Sequence, residues 1–535
     1  MAADQPLSRH FAELVGELAQ RTPSALAVVD GDKSLSYAEL DQEIDRFALA
    51  LQDLGISSGG TVGLLSTNSW EWICTSFGAQ RLGARVAAFN TFAKAWDLDY
   101  MLAHSEAEVL VCVDRLRSRD YLETLSELLP ELAEPGWHSE RFERLREVVL
   151  IAESVALGGV KTLGEVLPDS ADNFQRPVVS PTDDAFVLYT SGSSARPKAV
   201  PMQHYAAIEN GFAIGERAGL RDDDRVLVPV PLFWAYGAVN ALPATLTHGA
   251  ALVLQPVFDA EQALDLIEHH RCTAIYTLPN ITDALLGAAN FSADRVASLR
   301  TGLMIGTEAE LRRTHAELAV EGICNIYGGT ETYGNCCVTP TEWPVERRVT
   351  SQGPPLPGVQ LRIVDQDSGE LLGAGQVGEI HVTGYLARGY LGDSSGAGAA
   401  FGDDGWYRTG DLGSLDEEGA LHFSSRATEM IKTGGINVAP REVEEILMMH
   451  PAVKTAAVVG VPDERVSEVV VGFVSVQPGK TATDEELRSF CSERVAAYKV
   501  PARVHQLDAL PATDTGKLAR RRLVELDQAA AGSAA

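Results

Sequence analysis

A cluster of hydroxyl-bearing and basic residues follows a short apolar stretch near residue 190, a combination that could bind phosphate groups. The segment from Ala185 to Pro201 reads AFVLYTSGSSARPKAVP, and Ala185–Tyr189 has the apolar character of a buried strand. A glycine lets the backbone approach a ligand closely, hydroxyl groups donate hydrogen bonds, and a lysine adds a positive charge. We therefore predict a loop that holds the phosphates of a nucleotide and consists of Thr190, Ser191, Gly192, Ser193, Ser194 and Lys198.

This loop is not the Walker loop of P-loop kinases. The Walker loop requires a second glycine directly before the lysine and a serine or threonine directly after it. Here Pro197 precedes Lys198 and Ala199 follows it, so a P-loop kinase is excluded. On the loop alone, a polar surface loop remains the alternative, because clusters of Ser, Gly and Pro are typical of loops.

The elements that would position this loop alternate between helix and strand. Tyr37–Leu54 and Trp70–Leu82 have helical spacing, and Thr61–Leu65 between them is of strand type. Turns are predicted at Asp403–Gly405 and at Asp416–Gly419. Alternation of this kind predicts an α/β fold with wound layers of helices and sheet.

Composition sets further limits on the fold and on the partners. A chain of 535 residues with 45% hydrophobic residues is long enough for two or more domains. Its 44 basic and 74 acidic residues give a net charge of −30, which argues against nucleic acid and anionic membrane as partners. The N-terminus lacks the pattern of a secretory signal and no apolar run is long enough to span a bilayer, so we expect a cytoplasmic protein. The seven cysteines lack metal-type spacing and are expected to be buried thiols, including the adjacent Cys336 and Cys337.

Four further segments, in a fixed order, accompany the loop. They are IYGGTET at Ile326–Thr332, GWYRTGDLG at Gly405–Gly413, SRATEMIKTGGINVAPREVEE at Ser425–Glu445 and PATDTGKLAR at Pro511–Arg520. Together with the loop they resemble the adenylate-forming superfamily of acyl-CoA synthetases, adenylation domains and luciferase-like AMP-binding enzymes. The segment LRTGLMIG at Leu299–Gly306 is most similar to medium-chain and aryl acyl-CoA ligases.

The resemblance implies an architecture as well as an activity. It implies an α/β protein with a large N-terminal region of two sheet-and-helix subdomains plus a distorted β-barrel, and a small mobile α+β C-terminal domain. We place the N-terminal AMP-binding and acyl-substrate domain at residues 1–425 and the C-terminal domain at residues 426–525. Residues 526–535 are small and polar, and we expect them to form a disordered tail.

The same resemblance assigns roles around ATP. Lys517 would bridge the carboxylate and the α-phosphate, Thr330 would contact the α-phosphate, and Glu331 would be a ligand of Mg²⁺, which prefers hard oxygen atoms. Asp411 would bind both ribose hydroxyls, and Arg426 would reach the ribose side or the phosphate side of the nucleotide from the hinge. The adenine side is assigned to Tyr327, Gly306, Thr307 and Glu308.

Other residues are implied to contact coenzyme A and the acid. Gly434 and Gly435 would line the pantetheine tunnel after a rotation of the C-terminal domain, because only a backbone without side chains lets the thiol arm pass so closely. The acid-binding wall is assigned to Trp234, Tyr236, Gly328 and Gly329.

The implied function is ATP-dependent activation of a carboxylic acid, aromatic or of medium chain length, as an acyl-adenylate, followed by transfer to CoA. Several positions depart from the family pattern, namely Ala195 and Arg196 for Thr-Gly in the phosphate loop, Trp234 for a frequent histidine, and Ser425 and Thr428 at the hinge. These departures leave three other acceptors open, as in enzymes of secondary metabolism: a carrier protein, an amine that yields an amide, or nitrite in the diazotisation of an arylamine. An inactive nucleotide-binding scaffold is a further alternative, and the chain would act as a monomer or homodimer.

Overall fold

The computed structural model describes residues 9–155, 157–190, 197–392, 400–426, 429–433, 436–463, 467–495, 497–513 and 518–533. Two large wound sheets, a four-stranded antiparallel sheet and a five-stranded C-terminal sheet form the architecture. The predicted α/β class is thereby confirmed. Within these ranges, no helix is both long enough and apolar enough to cross a membrane.

The first sheet has eight strands, and its inner strands are parallel and buried on both faces. Its strand order is β17-β16-β15-β14-β12-β13-β1-β2, and only the outermost pair at each edge is antiparallel. The strands are β1 (Leu26–Asp30), β2 (Lys33–Ser36), β12 (Arg225–Val228), β13 (Ala251–Leu254), β14 (Ala274–Thr277), β15 (Thr301–Met304), β16 (Gly322–Tyr327) and β17 (Cys337–Val338).

The second sheet has seven strands in the order β11-β10-β4-β3-β5-β8-β9, parallel except for the β10–β11 pair. The predicted strands at Thr61–Leu65 and Ala185–Tyr189 are both found in it. The strands are β3 (Thr61–Leu65), β4 (Arg85–Ala88), β5 (Val109–Val113), β8 (Glu147–Ile151), β9 (Val160–Thr162), β10 (Asp184–Thr190) and β11 (Lys198–Gln203). A separate two-stranded ribbon consists of β6 (Arg115–Leu116) and β7 (Arg119–Asp120).

Helices cover these sheets. The α-helices are α1 (Phe11–Arg21), α2 (Tyr37–Asp53), α3 (Trp70–Arg81), α4 (Ala95–Ser105), α5 (Tyr121–Leu128), α6 (Leu163–Val166), α7 (His204–Ala218), α8 (Leu242–Thr247), α9 (Ala260–His270), α10 (Pro279–Gly287), α11 (Ala293–Val296), α12 (Glu308–Glu317), α13 (Val345–Thr350), α14 (Pro440–Met448), α15 (Asp484–Ser492) and α16 (Arg520–Ser533). Short 3₁₀ turns lie at Pro130–Ala133, Thr330–Thr332 and Ala497–Lys499, and a π-helical turn lies at Gly237–Ala241.

Helix α2 illustrates why the predicted helices form. A capping box in which Ser36 and Glu39 satisfy each other's backbone N–H groups starts the helix. Its buried positions, which include Leu40, Ile44 and Leu51, recur at helical spacing and face the core. Helix α3 packs closely on α2, because an added Cβ at Gly78 would lie only 2.9 Å from the backbone nitrogen of residue 48.

The third sheet is antiparallel and consists of β18 (Gln360–Val364), β19 (Gly378–Thr383), β20 (Tyr407–Leu415) and β21 (Leu421–Arg426), in that order. An isolated bridge between Gly353 and Leu421 extends it, and the described strands do not close into a barrel, so the distorted β-barrel remains a prediction. The predicted turn at Asp416–Gly419 joins β20 to β21, and Gly419 has a φ of 81° there.

The C-terminal sheet contains β22 (Ile431–Thr433), β23 (Ile436–Val438), β24 (Val453–Asp463), β25 (Ser467–Val476) and β26 (Arg503–Gln506). Its strand order is β23-β22-β25-β24, and β26 pairs with β25. Helix α14 packs on this sheet and buries Val443 and Leu447. The predicted boundary after residue 425 falls within the last residues of β21.

The prediction of a disordered tail is wrong for residues 526–533, which belong to α16. The buried carboxylate of Asp527 accepts hydrogen bonds from Arg503 and, at 2.7 Å, from His505. These contacts fix the helix on β26. Alanine is also the strongest helix former, so a small-residue composition alone does not indicate disorder.

The seven cysteines are free and buried, as predicted. Burial raises the pKa of the Cys324 thiol to about 12 and raises that of Cys337 well above its usual range. Thiols of this kind stay protonated at neutral pH and are poor nucleophiles. Cys336 and Cys337 therefore pack in the core beside β16.

Candidate active site

A partly buried carboxylate, Asp411, occupies the centre of one group of predicted site residues. It lies on β20 directly opposite Arg426 of β21. Its Oδ2 accepts a 2.8 Å hydrogen bond from the hydroxyl of Tyr327, at the end of β16. Its Oδ1 lies 3.3 Å from Arg426 Nε as an ion pair, yet accepts no hydrogen bond from any described residue. Asp411 therefore keeps acceptor capacity for a ligand, and a pair of ribose hydroxyls has the donors to fill it.

The electrostatics of this group follow from burial. Burial raises the pKa of Asp411, while the Arg426 charge and the Tyr327 hydrogen bond lower it. Burial also raises the pKa of Tyr327 well above its ordinary value, and the negative charge of Asp411 adds to this. Tyr327 therefore stays protonated and donates, and its ring stacks on Phe423 with centroids 5.7 Å apart.

Glu331 forms the second group. It lies in the 3₁₀ turn Thr330–Thr332, and its Oε1 accepts a 2.8 Å hydrogen bond from the Tyr390 hydroxyl. The ammonium group of Lys198 lies 4.4 Å from the centre of the Tyr390 ring, a cation–π contact. The predicted phosphate-side lysine and the predicted metal-side carboxylate thus meet at one tyrosine.

Tyr407 of β20 connects the two groups. Burial is the main cause of its raised pKa, and the negative charges of Glu331 and Asp411 both contribute. The Phe401 ring packs against both Tyr407 and Tyr390, with centroid distances of 4.8 and 5.6 Å. Predicted residues from β16, β20 and the start of β11 therefore lie around one site.

The ends of the predicted phosphate loop are held together by strand pairing. Thr190 ends β10, Lys198 begins β11, and the two residues face each other in the antiparallel register. Ser191, Gly192, Ser193 and Ser194 lie outside the described residues. Lys198, on the far side of this gap, lies beside Tyr390, which in turn contacts Glu331.

The predicted adenine-side segment follows β15. The Gly306 carbonyl accepts a 3.1 Å hydrogen bond from Arg441 of α14. Thr307 caps α12 and its hydroxyl donates to Glu310 at 2.9 Å, while Glu308 pairs with Arg312 on the next turn. Gly306 and Thr307 both line a cavity that C-terminal residues also line.

A cavity of about 390 Å³ lies between this segment and the C-terminal residues. Its lining includes Gly306, Phe423, Arg441, Glu444 and Leu518. Because the Phe423 ring also stacks on Tyr327, the cavity borders the Asp411 group. A volume of this size is typical of small-molecule sites.

Tyr236, in the predicted acid-binding wall, contacts β15. The Tyr236 hydroxyl donates to the Leu303 carbonyl of β15 at 2.8 Å, and burial raises its pKa well above the usual range. Trp234 is half-buried and meets the Phe233 ring edge-on at 6.0 Å. An added Cβ at Gly328 would lie 2.5 Å from the Gly334 carbonyl oxygen, so only glycine fits there.

At Gly329, the same construction places the Cβ 3.4 Å from Glu331 Oε2, an ordinary contact. Gly328 and Gly329 therefore join the predicted acid-binding wall to the Glu331 group. The lysine and glycines assigned to the mobile part of the site, Lys517, Gly434 and Gly435, lie outside the described residues.

The donor set fits Mg²⁺ rather than a metal held by protein alone. Among the described residues, no cluster of three or more His, Cys, Asp or Glu side chains could hold a metal ion. Mg²⁺ takes one or two carboxylates and completes its shell with water and substrate phosphates. A single carboxylate such as Glu331, which contacts Tyr390 beside Lys198, suits this chemistry.

Sequence reasoning missed several residues of this site. Tyr407 lies within the GWYRTGDLG motif and Arg441 within the segment Ser425–Glu445, so both had a signal, but Tyr390 and Phe423 had none apart from being aromatic. Their partners are distant in sequence: Tyr390 contacts a residue 59 positions away, and Arg441 one 135 positions away. Such contacts become visible only in the fold.

Comparison with known proteins gives matches along nearly the whole chain. The sequence profile described as AMP-binding enzyme matches residues 16–391, and the profile described as AMP-binding enzyme C-terminal domain matches residues 442–517. The putative acyl-CoA synthetase YngI of Bacillus subtilis (strain 168) is 31% identical over 529 residues, which cover 96% of each protein.

Solved structures agree with these matches. The anthranilate CoA ligase AuaEII in complex with anthranoyl-AMP superposes with a TM-score of 0.85 and 26% identity, covering 99% of this chain and 100% of that one. The amide bond synthetase McbA from Marinactinospora thermotolerans superposes with a TM-score of 0.82 and 27% identity, covering 96% of this chain and 99% of that one.

Proposed function

Because the chain belongs to the family of AMP-binding enzymes, we propose that it activates a carboxylic acid with ATP as an acyl-adenylate and transfers the acyl group to coenzyme A. The observation that carries the proposal is the Tyr327–Asp411–Arg426 group, whose buried Asp411 Oδ1 lacks a hydrogen-bond donor among the described residues. A buried acceptor of this kind is complementary to a ligand hydroxyl. The nearby Glu331, Tyr390 and Lys198 supply the polar groups for the phosphate side.

In the first step, a carboxylate oxygen of the acid attacks the α-phosphorus of ATP, the P–O bond to pyrophosphate breaks, and acyl-AMP forms. Two anions must approach each other, so positive charge and donors around the phosphates lower the barrier. We assign this role to Lys198, Thr330 and Lys517 and the ribose contact to Asp411. Mg²⁺, bound through Glu331, would neutralise phosphate charge.

In the second step, the CoA thiol loses its proton and its sulfur attacks the acyl carbonyl, after which the C–O bond to AMP breaks. The products are the thioester, AMP and a proton released to solvent. We assign the pantetheine path to Gly434 and Gly435, as the family resemblance implies. The related YngI is named a putative acyl-CoA synthetase, and AuaEII an anthranilate CoA ligase, which supports CoA as acceptor.

The acid is proposed to be aromatic or of medium chain length. Support comes from the aromatic side chains Trp234 and Tyr236 at the predicted acid-binding wall, and from AuaEII, whose structure holds anthranoyl-AMP. An amine is the second candidate acceptor, since the similar McbA is an amide bond synthetase. Both acceptors share the same first step.

The test is acid-dependent exchange of pyrophosphate into ATP. We expect exchange to require Mg²⁺ and an aromatic or medium-chain acid, and to be absent without acid. Exchange that is independent of added acid, or absent with every acid although ATP binds, would refute acid activation.

A further inference from the structure

An asparagine with an unpaired amide is buried beside the predicted acid-binding wall. Asn240 is 0% exposed, and neither its Oδ1 nor its Nδ2 has a hydrogen-bond partner within the described residues. It belongs to the π-helical turn Gly237–Ala241, which directly follows Tyr236. π-helical turns are rare and are frequent at functional sites. A buried amide without partners is costly, so its presence requires an explanation.

The position of this amide relates it to the proposed site. An added Cβ at Gly334 would lie 3.3 Å from Asn240 Nδ2, so the amide lies against that glycine. The Gly334 N–H in turn donates to the Gly329 carbonyl at 2.9 Å, and an added Cβ at Gly328 would contact the Gly334 oxygen. Gly334 therefore lies between the Asn240 amide and the Gly328–Gly329 backbone.

Two further asparagines, Asn210 and Asn335, lie at the Tyr333–Asn335 turn that contains Gly334. Asn210 of α7 donates from Nδ2 to the carbonyls of Tyr333 and Asn335, at 3.2 and 2.9 Å, while its Oδ1 has no partner among the described residues. The Nδ2 of Asn335 is likewise buried and unpaired within that set. Three segments thus bring unpaired amide donors and acceptors to the Tyr333–Asn335 turn, in an otherwise apolar core.

We infer that Asn240 is a specificity-determining residue that pairs with a polar, uncharged substituent of the acid, such as a hydroxyl or an amino group. An amide offers both a donor and an acceptor but no charge, and hence suits a neutral substituent rather than a second carboxylate. Acids without such a substituent leave the amide unpaired and bind less well. This inference rests on the proposed acid activation and narrows its substrate to hydroxy- or amino-substituted acids.

The test measures kcat/KM for acid-dependent pyrophosphate exchange with benzoate, the three hydroxybenzoates, the three aminobenzoates and octanoate. The wild-type enzyme should prefer at least one substituted benzoate over benzoate by about 10- to 100-fold. Asn240→Leu should abolish that preference and leave the Kd for ATP unchanged. Because the wild-type panel requires no variant, it can still overturn the inference if Asn240→Leu does not fold.

A matched control is Asn325→Leu. Asn325 is also buried, but its amide donates to the Ser351 carbonyl at 2.9 Å and its Oδ1 accepts from Ile326 N–H at 3.0 Å. This variant should lose stability and keep the acid preference. Exchange with benzoate or octanoate as good as with every substituted acid, or a preference that survives Asn240→Leu, overturns the inference and leaves acid activation standing. Absence of exchange with all acids overturns both.

Discussion

Replacing Asp411 by asparagine should weaken ATP binding without lowering the free energy of unfolding. The side chain is 14% exposed and its pKa is raised, chiefly by burial, so its negative charge lowers the free energy of unfolding at neutral pH. Asparagine keeps an oxygen that can accept from Tyr327 but loses the charge that strengthens hydrogen bonds from ribose. A hydrogen bond to a charged group contributes about 1.5–3 kcal/mol and one to a neutral group about 0.5–1.5 kcal/mol, so the Kd for ATP should rise roughly 5- to 13-fold.

The assay is calorimetric titration of ATP together with urea unfolding of the same preparations. The free energy of unfolding should stay the same or increase slightly, because loss of the Arg426 ion pair offsets relief of the buried charge. Asp416→Asn is the matched control: it removes a carboxylate from the turn after β20, where Asp416 Oδ1 accepts from backbone N–H groups, and should leave ATP binding unchanged. An Asp411→Asn enzyme that binds ATP within twofold of wild type, or that is less stable by several kcal/mol, would contradict the assignment.

Three further predictions concern metal, catalysis and pH. Glu331→Gln should raise the Mg²⁺ concentration needed for half-maximal exchange, because an amide is a poorer ligand for a hard dication. A Mg²⁺ titration that matches wild type would show that Glu331 has a structural role and is not a metal ligand. Lys517→Ala should raise the barrier to adenylation by roughly 3–4 kcal/mol without loss of stability, and near wild-type exchange would reject its role. Burial lowers the pKa of His10 from 6.5 to about 4 and that of His204 well below 6.5. Below pH 6.5 the unfolded chain therefore binds more protons than the folded chain, so the free energy of unfolding decreases as the pH falls. At 1.36 kcal/mol per pKa unit, His10 alone accounts for about 3 kcal/mol between pH 6.5 and 4, and urea unfolding of His10→Asn should show a flatter pH dependence.

Much of the framework was predictable because its signals are local. The strand before the phosphate loop, the helices at Tyr37 and Trp70 and the turn after β20 follow from apolar spacing, caps and turn residues, and the structure confirms them. The family resemblance is likewise confirmed, since an ordered set of motifs is far more specific than any single one. The domain limits at residues 425 and 525 and the individual site roles remain predictions.

What could not be predicted depends on contacts between distant residues. Nothing in the sequence pairs Tyr327 with Asp411, 84 positions away, or shows that the Asn240 amide has no partner among the described residues. The helix at residues 520–533 was missed for the same reason, because its anchor at Asp527 depends on Arg503 and His505 of a neighbouring strand. Local helix and strand propensities do not include such tertiary contacts, which often override them.

The central claim is that the adenylate is passed to CoA, and product analysis by mass spectrometry tests it most directly. The enzyme is supplied with ATP, Mg²⁺ and an acid that supports exchange, and then with CoA, an amine or nitrite plus an arylamine in separate reactions. The account predicts a CoA thioester formed in equal amount to AMP. Acyl-AMP that persists in the presence of CoA, while an amide or a diazo product forms with another acceptor, would contradict it.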